Sequence, residues 1–240
     1  MNLLSLDTST EFLSLAIQAG DTLFTHHQHV DNTSSELILP QIQALLDAAN
    51  VELKDLNGIA FGAGPGAFTG VRIACGVAQG LGFGVNIPVV GVNTLLAVAQ
   101  ASGADKVIVC LDARMGEIYH AAFKKAEISE KTSHQWLEIS ETQVCKPEAS
   151  PMLGSATSSN QQWVGAGSGW AVYGDILSEI YNQHLLKILP EVTPMAEAIL
   201  QLARPVFEAG EAKPASEAAP IYIRNRVALT TQQREAGQRL

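Results

Sequence analysis

Gly62-Ala63-Gly64-Pro65-Gly66-Ala67-Phe68-Thr69-Gly70-Val71-Arg72-Ile73 follows an apolar run and opens directly onto a helical pattern. Glycines at that density permit positive φ angles and close backbone approach, and a helix start just beyond gathers unpaired N–H groups and positive dipole potential. The stretch reads as an anion cradle or as a very tight packing corner. No Gly-Lys-Ser/Thr closes it, so it is not the lysine-bearing phosphate loop, and Pro65 interrupts the glycine spacing of a dinucleotide fingerprint.

Working outward, Leu3-Leu4-Ser5-Leu6-Asp7 is an apolar strand that ends in Asp, followed by a short polar turn and a second strand from Phe12 to Ile17. Ile108-Val109-Cys110-Leu111-Asp112 repeats this, with Ile118 to Phe123 returning, and Gly165-Ala166-Gly167-Ser168-Gly169 echoes Gly62 to Gly66. Nearly the same number of residues separates Asp7 from Gly62 and Asp112 from Gly165. Each half therefore reads as strand, Asp-turn, strand, intervening elements, then strand, Gly-x-Gly-x-Gly and helix. The expectation is an α/β protein made of two duplicated domains, each with a mixed sheet and packed helices. Residues 1–104 would form the N-terminal unit, 105–220 a more divergent C-terminal unit, and 221–240 a docking segment with a disordered tail.

Two helices of the first half are candidates for a partner interface. Thr33-Ser34-Ser35-Glu36 has capping-box form, and Leu39, Ile42, Leu45, Leu46 and Ala49 keep helical spacing. Pro40 predicts that this helix begins near Leu39 or kinks there. The helix after the glycine turn, expected from Val71 to about Phe83, carries Val71, Ala74, Val77, Ala78 and Leu81 with Gly76 and Gly80 four apart. Small residues on two of its faces imply close neighbours on two sides, and ordinary core burial and a subunit interface are equally open readings of them. Residues 124–162 are polar, with only Trp136 to Ile139 strand-like. Thr193-Pro194 starts a helix that continues towards Phe207 despite Pro205, and Ile221 to Val227 is an apolar and basic segment that docks on self or partner.

With 47% hydrophobic residues in 240, the chain can bury a substantial core. A net charge of −9 argues against autonomous binding to nucleic acid or an anionic membrane, where affinity comes from neutralising phosphates. Cys75, Cys110 and Cys145 are an odd set without paired spacing, read as packing thiols of a reducing cytosol. No basic leader and no uninterrupted apolar span long enough for a bilayer are read, so a cytoplasmic protein without membrane contact is expected. His26, His27 and His29 fall on a strand, where His27 and His29 would share a side, and no metal site is read there. Ser168 lacks the Gly-x-Ser-x-Gly elbow of a hydrolase.

Leu3 to Thr10, Gly64 to Ile73, Asp112-Ala113-Arg114-Met115-Gly116-Glu117-Ile118-Tyr119 and Pro220-Ile221-Tyr222-Ile223-Arg224 together resemble the TsaB (YeaZ) family over nearly the whole chain. The resemblance implies the ASKHA fold of duplicated actin-like and hexokinase-like domains. It also implies a non-catalytic scaffold or activator that pairs with the catalytic subunit TsaD and supports the ATPase TsaE in threonylcarbamoylating an adenosine beside the tRNA anticodon. tRNA would be met only through the complex, and the chain alone would be a homodimer. No cofactor of its own is implied, only ATP or ADP at the complex interface. The nucleotide or phosphate candidates are Asp7, Thr8, Ser9 and Thr10, whose hydroxyls and N–H groups suit phosphate, with Gly64 and Gly66. A turn carboxylate accepting local N–H bonds is the plainer role for Asp7. The second Asp-turn is bulky, and Arg114 reads as an exposed ion-pair partner. The alternative is an independent ASKHA-type ATP-dependent kinase for a small molecule, with Asp7 and Asp112 steering phosphate and metal.

Overall fold

Two runs without polar alternation, β1 (Leu3–Asp7) and β4 (Gly58–Gly64), are buried along their whole length, as central strands covered on both faces must be. They sit in the middle of the first sheet in the computed structural model, which describes residues 1–31, 33–126, 136–153 and 162–223. The tail from Thr230, the basic residues Arg224 to Val227 and parts of the polar stretch 124–162 lie outside the described residues. With β2 (Phe12–Ala19), β3 (Thr22–His29) and β5 (Val89–Asn93), the strand order is β3-β2-β1-β4-β5. β1 runs antiparallel to β2 and parallel to β4, and β4 is parallel to β5. Helices α1 (Ser34–Ala49) and α2 (Phe68–Val85) cover one face.

The second half repeats the topology. After α3 (Thr94–Ala101) come β6 (Lys106–Arg114), β7 (Glu117–Lys125), β8 (Trp136–Cys145), β9 (Trp163–Ala166), α4 (Ser168–Tyr181), β10 (Leu185–Leu189) and α5 (Ala196–Glu208). Their sheet order, β10-β9-β6-β7-β8, is the first order read from the other edge, with β6 antiparallel to β7 and parallel to β9. The duplicated α/β architecture is therefore present. β8 continues to Cys145, well past the expected end at Ile139, because an edge strand tolerates the exposed Glu141 and half-exposed Ser140, Thr142 and Gln143 of its second part.

The expected boundary at 105–220 does not follow the packing. α5 leaves the second half and covers the first sheet, burying Ala196, Ile199, Leu200 and Ala203 against Leu3, Ala16, Ala60 and Val92. Ser5 Oγ donates to the Ala196 carbonyl at 2.6 Å and Ser14 Oγ accepts from Ala196 N–H at 2.9 Å, which pins the helix start. α3 makes the reciprocal crossing, packing Leu95, Val98 and Ala99 beneath Val107, Val109 and Phe123 of the second sheet. The Asn93 side chain caps α3 through Leu95 N–H and also donates to Thr142 Oγ1 at 2.9 Å. Gln100 joins the crossed helices by bonding both Trp136 Nε1 and the Gln201 amide.

Two local expectations change. Thr33 makes no capping box: its hydroxyl turns back to the Val30 carbonyl at 2.7 Å, while α1 still begins at Ser34. Pro40 neither delays nor divides α1, since it faces solvent and water can take up the carbonyl that its missing N–H leaves free. α2 starts at Phe68, three residues before the expected Val71. Its 18 residues, with mean hydropathy 1.2, have the length and composition of a membrane span, although Thr69, Arg72 and Gln79 interrupt the apolar run. Here it is the crossover between parallel β4 and β5, with Val71, Ala74, Cys75, Ala78 and Gly82 buried.

The glycine run seats the first Asp-turn. A Cβ at Gly62 would collide with the Asp7 carboxylate, one at Gly66 would lie 2.6 Å from the Ser9 carbonyl oxygen, and one at Gly70 would enter the Thr8 carbonyl. By contrast, Cβ atoms at Gly76 and Gly80 would meet nothing. Gly70→Ala should therefore destabilise the protein by about 2–3 kcal/mol through overpacking. Gly76→Ala should stabilise it by about 0.5–1 kcal/mol through helix propensity. Urea unfolding of the two variants checks this, and equal effects of one sign would contradict the packing described.

Candidate functional site

The turn after β1 spends its polar groups on itself. Asp7 Oδ1 accepts from Ser9 N–H at 2.9 Å and from Ser9 Oγ at 2.8 Å, the local role anticipated for a turn carboxylate. Thr8 Oγ1 donates to the Gly70 carbonyl at 2.6 Å, and the Ser9 carbonyl accepts from Ala67 N–H at 2.8 Å. Gly64, at φ +100°, backs onto the carbonyl of Ile221, whose own N–H donates to Ala63 at 2.7 Å. Asp7, Thr8 and Ser9 are all buried, and Thr10 is half-exposed at the rim. The corner is tight packing rather than an open cradle. The side-chain donors of Thr8 and Ser9 are spent within the chain, and Gly64 and Gly66 abut Ile221 and Ser9, while Thr8, Ser9, Thr10 and Gly66 present their remaining backbone to the cleft between the two halves.

The second Asp-turn is more open. Asp112 Oδ1 accepts from Arg114 N–H at 2.9 Å, its Oδ2 pairs with Arg114 Nη1 at 3.2 Å, and Ser168 Oγ accepts from Asp112 N–H at 3.1 Å. Arg114 is thus the exposed ion-pair partner expected, and Ser168 anchors a strand end. Gly167 and Gly169 clear the backbone of Cys110, two residues ahead of the Asp, so the turn itself is not enclosed. A cleft of about 1060 Å³ separates the two turns, and Ile221–Ile223 runs along its edge. His27 and His29 do share a face of β3, where both rings meet Phe12, and no cluster of three metal-ligating side chains occurs among the described residues.

The candidate interface residues divide into two sets. Ile42, Leu45, Leu46, Val71, Ala74 and Ala78 are buried in the chain's own core, which corrects their assignment to a partner surface. Both helices use those positions against the first sheet. Leu39 is exposed, Ala49, Val77 and Leu81 are half-buried, and Gly76 and Gly80 are exposed with open space above them. Sequence reading missed Phe83, which is 76% exposed, and Gly84, one turn beyond Gly80. Continuing the four-residue glycine spacing past Gly80 would have found Gly84.

Asp7 is the electrostatic anomaly of this region. Burial pushes its carboxyl up from 3.8 to about 6, against the opposing pull of the two Ser9 hydrogen bonds, and Oδ2 has no partner. A carboxyl raised on folding contributes stability that is complete below pH 3.8 and lost as pH rises through 6. Buried His120, lowered from 6.5 to about 4 by desolvation, acts in the opposite sense over the same range, so the Asp7 part must be read as a difference. Asp7→Asn should be more stable than the parent above pH 7, by up to about 3 kcal/mol, and the advantage should vanish near pH 4. Urea midpoints at several pH values measure this, and a difference independent of pH would sink it.

A family model described as "TsaD: tRNA N6-adenosine threonylcarbamoyltransferase" matches residues 26–231. The tRNA threonylcarbamoyladenosine biosynthesis protein TsaB of Escherichia coli K12 is 35% identical, over 95% of this chain and 96% of that protein. Its namesake in Haemophilus influenzae is 34% identical, over 95% of each. Among solved structures, an uncharacterised Pseudomonas aeruginosa protein with similarity to peptidase YeaZ is 35% identical, with a TM-score of 0.82 over 93% of this chain and 99% of that one. YeaZ from Pseudomonas aeruginosa is 34% identical, with a TM-score of 0.77 over 92% and 100%. This duplicated ASKHA-type chain therefore belongs to the TsaD family, and within it to the TsaB (YeaZ) proteins of tRNA threonylcarbamoyladenosine biosynthesis.

Proposed function

We propose that the chain is a non-catalytic, cytoplasmic subunit that docks the outer face of α2, with Leu39 of α1, onto a TsaD-type catalytic subunit. In that complex, with the ATPase TsaE, threonylcarbamoyl passes from threonylcarbamoyl-AMP to the adenosine next to the tRNA anticodon, and tRNA is met only through the complex. One observation carries the reading. α2 is as apolar as a membrane span, yet only 28% of it is buried, and its outward glycines leave a flat surface on which another helix can lie close. The same face would pair two copies when the catalytic subunit is absent. The spent donors of the first Asp-turn support the view that nucleotide, where the complex holds one, is not gripped by this turn.

Gly80→Leu separates docking from folding, because a side chain there points into open space. The variant should fold with equal or greater stability, while affinity for the catalytic subunit falls at least about 30-fold, the scale of a lost interfacial hot spot. Reconstituted tRNA modification should fall with it. Full modification by the variant, or at full rate with this subunit omitted, would refute the scaffold role. The kinase alternative requires ATP turnover by the isolated chain that Asp7→Asn abolishes, and no turnover above buffer is expected.

A further inference from the structure

Phe68, Arg72, Gly76, Gly80 and Gly84 recur at four-residue spacing, so the outward glycine face ends in an aromatic and an arginine. Arg72 is the only charged residue of α2. Its guanidinium lies 3.5 Å over the Phe68 ring and 5.5 Å from that of Tyr222, and its Nε donates to the Tyr222 hydroxyl at 2.7 Å. Tyr222 arrives there on Ile221–Ile223, which the Ile221–Ala63 hydrogen bond fixes to the end of β4. Phe68 and Tyr222 remain about half exposed, at 47% and 52%.

Two rings cover the guanidinium and a hydroxyl takes its ε edge. Its terminal nitrogens form no ion pair among the described residues, in a chain whose net charge is −9. A guanidinium held this way presents two parallel N–H donors, the geometry that carboxylates accept bidentately and that Lys cannot reproduce. Tyr, Phe and Arg together are also the composition of an interfacial hot spot, here at the rim of an apolar helix face.

We propose that Ile221–Ile223 is part of the docking face, with Tyr222 as a positioning residue that aims Arg72 at an Asp or Glu side chain of the partner protein. This rests on the docking reading above. The partner it fits offers an apolar helix-packing surface carrying one carboxylate near the N-terminal end of α2. Charge complementarity selects the carboxylate: Arg72 is the single charge of α2, and no described residue supplies it with a counter-ion.

The experiment is a double-mutant cycle on the full chain, binding the TsaD-type catalytic subunit at low and high salt, with Gly80→Leu as the control for the face itself. Arg72→Gln should weaken binding at least tenfold and flatten the salt dependence, and Arg72→Lys should recover only a small part. Tyr222→Phe keeps the ring and loses the hydroxyl. It should weaken binding severalfold in the Arg72 background and have no further effect in Arg72→Gln. If Gly80→Leu abolishes binding while the Arg72 and Tyr222 variants leave both affinity and salt dependence unchanged, this inference fails and the docking reading stands. If Gly80→Leu is also without effect, the docking reading itself fails. Inorganic phosphate or ATP that raises the melting temperature of the isolated chain only when Arg72 is intact, with partner affinity unchanged in Arg72→Gln, would assign the site to a phosphate and overturn the proposal.

Discussion

The Asp7 carboxylate and the backbone of Thr8 and Ser9 occupy space that side chains at residues 62, 66 and 70 would otherwise fill. This steric exclusion organises the first half. With the turn nested into the glycines, β1 and β4 lie as parallel neighbours in register from Leu3 beside Gly58 to Leu6 beside Phe61, and α2 follows directly from the corner. Thr8 seals the arrangement by capping a carbonyl in the first turn of α2. The cost is a carboxylate removed from water with one oxygen unpartnered, which a phosphate-binding corner would leave open to solvent or metal. The second half uses its glycines against Cys110, ahead of the Asp rather than around it. Asp112 consequently stays at the cleft wall with Arg114.

The exchange of α3 and α5 makes the halves mutually dependent. Each sheet has one face covered by its own helices and part of the other covered by a helix that follows the opposite sheet in sequence. Removing either half would strip Leu3 and Val92, or Val107 and Val109, of the side chains that bury them. At about 25 cal/mol per Å² of apolar surface, exposing several such residues would consume a large share of a domain's net stability. The cleft between the Asp-turns is bounded by units that pack through α3 and α5, with Gln100 bonded to both sides.

The duplication was legible because strand ends here are marked by residues with local, unambiguous demands: Asp at a turn, and glycine where a Cβ cannot fit. Arg114's ion pair was legible for the same reason, since Asp112 lies two residues away. The destination of α5 was not, because Ala196, Ile199, Leu200 and Ala203 form an apolar stripe that would suit either sheet. Nor did periodicity tell the inward face of α2 from the outward one. Ala74 and Ala78 are as small as Gly76 and Gly80, and only the three-dimensional path shows which pair meets β4. Pro40 misled because its cost depends on whether the orphaned carbonyl faces water. The sequence left phosphate cradle and packing corner both open because the glycines that would admit a ligand are the same glycines that admit the chain's own turn.

The path of residues 221–223 links the two ends of the functional reading. The Ile221 N–H bonds Ala63 and its carbonyl presses on Gly64, which completes the closure of the glycine corner from the side opposite the Asp-turn. One residue further on, Tyr222 reaches Arg72 and Phe68 on the outer face of α2. The Ile221–Ala63 hydrogen bond and the Tyr222–Arg72 bond fall on adjacent residues, so the first contact leaves the second little freedom in position. The segment that abuts Gly64 is therefore the same one that adds an aromatic and orders a cation on the outward helix. The contact that closes the corner at Gly64 thus also sets where an aromatic ring meets the single charge of α2.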